Sequence, residues 1–131
     1  MNPTATSARR ALLPLAMMGL IFFLSAQPDL DSGLGLIDLI GRKIVHLGTY
    51  LALTLAWFWA LRPVARPGPS LAIAAAVSFA YAVSDEYHQS FVEGRAGSPV
   101  DVAIDSIGIV LAIALVRYDG RVRSALDGEE P

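Results

Sequence analysis

The chain has 131 residues, 54% of them hydrophobic and 17% charged, with positive mean hydropathy and no cysteine. A soluble domain of this size carries roughly a quarter charged residues, so the composition is that of a membrane protein, and the close spacing of the apolar segments leaves room for one domain. Without cysteine there is no disulfide, thiolate nucleophile or sulfur-ligated zinc, and basic residues scattered through short loops do not make a nucleic-acid surface.

In chain order, Met1 to Ala8 is small and polar, and Arg9-Arg10 lead into an apolar run from Ala11 to Ala26. A basic start and an apolar middle before Ser25-Ala26 also have the form of a signal peptide. Leu24 fits poorly three residues before such a cut, so the expectation is a retained first helix. Pro14 is expected to be tolerated by its nearness to the helix start, and Gly19 to admit a close neighbour. Gln27-Pro28-Asp29 ends the helix, and Asp31 to Gly35 reads as a loop.

A second helix is expected from Asp38, as its cap, to Leu61, with Trp57 and Trp59 as an interface belt at its far end. The basic, proline-rich stretch Arg62 to Pro69 is a connection. A third helix runs from Ser70 to about Gln89 or Phe91, free of charge as far as Ser84. Ser98-Pro99-Val100-Asp101 has the form of a helix start, with Ser98 as cap and Pro99 at the first position. This fourth helix is expected to end near Val116, with a charged, mobile tail from Tyr118 onward.

The fold expected is therefore all-α, a membrane-spanning bundle of four transmembrane helices over residues 11–116, between cytoplasmic segments 1–10 and 117–131. Seven basic residues (Arg9, Arg10, Arg62, Arg66, Arg117, Arg121, Arg123) fall on one side of such a path, against three (Arg42, Lys43, Arg95) on the other. By the positive-inside rule both termini are cytoplasmic, and the loops around 27–42 and 90–98 face outward.

Near that outer side lies a dense run of ionisable groups, Ser84-Asp85-Glu86-Tyr87-His88-Gln89, followed by Arg95, Asp101 and Asp105. Lys43, His46 and Tyr50 share one stripe of the second helix, and Asp85, His88 and Gln89 one stripe of the third, with Glu86 about a hundred degrees round. Asp101, Asp105 and Gly108 share a stripe of the fourth. Lipid gives such groups no other partners, so the three stripes are expected to face one another around a polar pocket. The side chains of His46, Asp85, Asp101 and Asp105 should lie within about 10 Å of each other, one helix-packing distance.

Each group also has a plainer role. Asp101 can simply favour the positive end of its helix. Lys43 and His46, in the first turns of theirs, call for a nearby anion, which Asp85, Asp101 or Asp105 would supply as a static ion-pair network. Asp105 is the hardest to reduce to this, since it lies about 6 Å deeper than Asp101 in an apolar helix and must be paired or protonated. In the functional reading, Arg95 and Lys43 hold a phosphate or carboxylate, His46 or Asp85 accepts a proton, and Glu86, Gln89 and Tyr50 orient them. No tight ligand motif such as H-E-x-x-H is present, and neither a metal nor another cofactor is expected.

With these residues laid out, the chain resembles the VanZ-like family of small bacterial integral membrane proteins. The matching features are Phe23-Leu24-Ser25-x-Gln27-Pro28; Lys43-x-x-His46-x-x-x-Tyr50; Asp85-Glu86-x-His88-Gln89 with Phe91-Val92-x-Gly94-Arg95; and Asp101-Val102-x-x-Asp105-x-x-Gly108. The family favours proline where Glu93 stands and asparagine where Asp105 stands, so Asp105 adds a titratable group. The resemblance implies a multi-pass protein of the bacterial inner membrane and cell envelope. It also brings a link to tolerance of the glycopeptide teicoplanin, which belongs to the family's name-giving member.

Three functions are compatible with this pattern: a site for an anionic lipid or lipid-linked cell-wall precursor, with or without chemistry upon it; a non-catalytic protein that binds lipid or antibiotic or scaffolds a partner; and a proton-coupled transporter. The third is disfavoured by four short helices without an inverted repeat. Membrane lipids are the partners expected, and a homo-oligomer is compatible with all three.

Overall fold

A computed structural model describes residues 2–28 and 35–127; most of the expected loop, Asp31 to Leu34, and the tail residues 128–131 lie outside these. The described residues form four helices and no strand: α1 (Pro3–Ser25), α2 (Leu36–Leu61), α3 (Pro67–Gln89) and α4 (Pro99–Asp127). All four are long and apolar enough to cross a membrane.

Local chemistry accounts for the boundaries, several of which differ from expectation. Helix α1 starts at Pro3, where Asn2 caps it by accepting from the Thr4 N–H at 3.0 Å. Pro14 therefore sits about three turns inside the helix rather than at its start, and it is buried; spans tolerate such interior prolines where neighbouring helices re-satisfy the freed backbone groups. Gly19 faces open space, with nothing within 4 Å of where a Cβ would stand, so it is not a point of close approach. Helix α2 begins at Leu36 behind Gly35, which places Asp38 inside the helix instead of at its cap. Helix α3 takes in Pro67 and Pro69 because proline's fixed φ suits a first turn, whose N–H groups lack helical partners in any case. Helix α4 starts at Pro99 as expected, and Ser98 Oγ accepts from the Val100 N–H at 3.2 Å. It then continues past Val116 to Asp127. That stretch contains no proline, and its one glycine, Gly120, costs a helix only about 1 kcal/mol.

Packing is inverted relative to a soluble bundle. Leu12 and Phe23 are 66% and 61% exposed, as are many other large apolar side chains, whereas the interior holds Thr54, Ser70, Ala74, Ser78, Ala82 and Ala112. Small interior residues let backbones approach closely, and the large ones face outward. The most extensive contact is between α2 and α4. There Gly108 passes directly beneath Leu47: a Cβ on Gly108 would overlap the Leu47 carbonyl oxygen.

Helices α1 and α3 end, and α2 and α4 begin, at the same end of the bundle. At the opposite end, Ser7 Oγ donates to the Ala60 carbonyl at 2.7 Å, and the Arg10 guanidinium lies 4.5 Å over the Trp59 ring. Trp59 is exposed there, but Trp57 packs inward against the core, so one tryptophan rather than two stands at the surface. Midway, the Tyr81 hydroxyl donates to the Met18 carbonyl at 2.5 Å and ties α3 to α1.

Candidate functional site

Two rungs link α2 to α4. Lys43 Nζ pairs with Asp101 Oδ1, and one turn deeper His46 donates through Nδ1 to Asp105 Oδ1 at 3.2 Å. The rungs follow from direction: both helices start at this end, so spacings of i, i+3 on α2 and i, i+4 on α4 advance together. Asp101 keeps some exposure, while the Asp105 side chain has none.

Helix α3 contributes from the other side. The Gln89 amide donates to Asp85 Oδ2 at 3.0 Å and to Ser25 Oγ of α1 at 3.3 Å. Glu86, offset from the Asp85 stripe, faces α4: its Oε2 accepts from the Ser98 N–H at 2.9 Å. Gly97 makes this possible, since a Cβ there would overlap the Glu86 backbone carbonyl. The turn between α3 and α4 is thereby held against the last turns of α3, with Arg95 on its inner side.

Between these elements is a cavity of about 680 Å³. Lys43, His46, Tyr50, Asp85, Gln89, Arg95 and Asp101 all line it, as do Ser25 and Thr49. Of the residues singled out in the sequence, Glu86 and Asp105 stand behind the wall, both buried. His88 is the one drawn apart from its stripe: its ring stacks on Phe22 of α1, with centroids 4.3 Å apart and planes at 15°, and it does not line the cavity. Apart from His88, which the expected α3 stripe included, the polar stripes face one another.

Hydrogen bonding leaves this region incompletely satisfied. Asp85 Oδ1, Glu86 Oε1, Asp105 Oδ2, Arg95 Nε and the Tyr50 hydroxyl have no hydrogen-bond partner among the described residues. Buried polar atoms are ordinarily paired, so this concentration sets the region apart from the rest of the bundle. One atom each of His46, Glu86 and Asp105 lie within 4.8 Å of one another, a spacing open to a cation.

Sequence reasoning missed the pairing of Glu86 with the start of α4, because a residue a hundred degrees off one stripe faces the next helix in a bundle. It also missed Ser25 and Thr49 in the cavity wall; a hydroxyl in the last turn of an apolar helix was the available signal for Ser25.

A model of the VanZ/LLP1 family matches residues 4–120, which takes in all four spans. No curated protein matches the chain, and no solved structure does.

Proposed function

The chain belongs to the VanZ/LLP1 family and is a multi-pass membrane protein, and we propose that its polar chamber receives the anionic headgroup of a membrane lipid or lipid-linked cell-wall precursor. The observation that carries this reading is a cavity of about 680 Å³ into which Arg95 projects from the α3–α4 turn, its Nε without a hydrogen-bond partner among the described residues. A guanidinium suits phosphate and carboxylate. Lys43 is committed to Asp101, which leaves Arg95 as the better anchor for an arriving anion. The N-termini of α2 and α4 add partial positive charge at the same end. Apolar wall residues such as Ile21, Leu24 and Leu39 suit the first carbons of an acyl chain.

With seven basic residues at the opposite side, the chamber opens to the outer leaflet of the bacterial inner membrane. Lipid-linked wall precursors are displayed there. Should the occupant be such a precursor, a part in tolerance of teicoplanin-type glycopeptides would follow from competition for it.

Arg95→Ala is expected to lower affinity for anionic lipid about tenfold or more, the worth of a charge-assisted hydrogen bond. Native mass spectrometry of the protein released from detergent, with phosphatidylglycerol titrated against phosphatidylcholine, reads this directly. Equal retention of both lipids by the unsubstituted chain, or unchanged retention in the variant, would refute the reading.

A further inference from the structure

We propose that His46, Glu86 and Asp105 form a binding site for one divalent transition-metal ion of the zinc type, set into the inner wall of the chamber.

Geometry comes first. Tetrahedral ligands held at about 2.1 Å from one ion are about 3.4 Å apart, and the three donor atoms here lie within 4.8 Å. Side-chain rotations that draw the donors together by up to about 1.4 Å close the set. The donors come from three different helices, so the bundle itself defines the site.

Chemistry agrees. One imidazole with two carboxylates, and no sulfur, suits Zn²⁺, Mn²⁺ or Fe²⁺ rather than a soft ion. A neutral imidazole and two carboxylates exactly offset a dication's two charges, which matters in a medium that penalises net charge. His46 alone can neutralise one carboxylate, whereas Asp85, Glu86 and Asp105 are 3%, 5% and 0% exposed.

Independent support comes from outside the trio. The Tyr50 hydroxyl, one helical turn below His46, belongs to a side chain 1% exposed and has no hydrogen-bond partner among the described residues. It lies within electrostatic range of Asp85, Glu86 and Asp105. A metal-bound water would donate to the oxygen of such a hydroxyl. Glu86 Oε1 and Asp105 Oδ2 are likewise without a partner among the described residues, so each carboxylate has an oxygen to offer a cation. Because His46 lines the cavity, an ion on it keeps a coordination position open toward whatever enters.

The test uses the full chain, purified in detergent without a polyhistidine tag, stripped with EDTA and dialysed against ZnCl₂. Elemental analysis is expected to find about one zinc per chain. Glu86→Gln and Asp105→Asn should each weaken binding by about 100-fold or more, beyond the loss typical of an outer partner. His88→Ala, which removes the other histidine, should retain the ion. Fewer than about one zinc per ten chains, undiminished binding in either carboxylate variant, or loss in His88→Ala would overturn the proposal. Should a carboxylate variant lose its helical circular dichroism, Co²⁺ added to the unsubstituted chain decides. Intense visible bands of a low-coordinate nitrogen- and oxygen-ligated ion support the site, and the weak spectrum of hydrated Co²⁺ refutes it. Zinc is read here without added lipid, so failure of this site and failure of the lipid reading are separate results.

Discussion

Gly108→Val will break the bundle. A Cβ at this position overlaps the Leu47 carbonyl oxygen and crowds the Leu51 N–H, and both are backbone atoms that no rotamer change can move. Helix α4 must back away from α2 along their most extensive contact, opening both the Lys43–Asp101 and the His46–Asp105 rungs. Overpacking a core by flexible side chains costs about 1–3 kcal/mol; here the obstacle is backbone, and a loss of about 3 kcal/mol or more is expected, seen as aggregation on detergent extraction. Gly19→Val is the matched control, with open space around its Cβ, and should change stability by about 0.5 kcal/mol or less. Equal yields of folded protein from the two variants would show that α2 and α4 are not packed as described.

His46→Leu will also destabilise strongly, and the reason is electrostatic. Asp105 has a fully buried side chain, and its hydrogen-bonded partner is His46 at 3.2 Å. Removing one member of a buried pair costs about 3–5 kcal/mol, while replacing both by apolar residues is often neutral. Asp105→Leu alone should be milder, about 1 kcal/mol, because His46 keeps some exposure and can shed its charge. The double variant His46→Leu with Asp105→Leu should recover to within about 1 kcal/mol of the starting chain. Reversible unfolding in mixed dodecylmaltoside and SDS micelles, with EDTA present, measures all four corners of the cycle. Simple additivity would mean that the pair contributes nothing as a pair.

How much of this was legible beforehand can be traced through particular residues. The spans follow from runs such as Ser70 to Ser84, in which no charge interrupts the apolar sequence. The facing of Lys43, His46, Asp85, Asp101 and Asp105 follows from helical spacing, because lipid gives polar groups one direction to go. Boundaries were less legible: Pro67 and Pro69 read as loop when they open a helix, and the charged segment after Val116 reads as tail when it prolongs one. In both cases local signals were weaker than continuity with an established helix.

The sequence by itself determined a four-span bundle with its ionisable groups gathered at one end, since hydropathy and periodicity are local properties that survive any arrangement of neighbours. Only the tertiary structure decided which groups become partners. It matched Lys43 with Asp101 and His46 with Asp105 through the parallel run of α2 and α4, turned Glu86 toward Ser98, and withdrew His88 onto Phe22. Partner choice depends on the rotation of each helix about its axis. Contacts between distant segments set that rotation, chief among them the passage of Gly108 beneath Leu47.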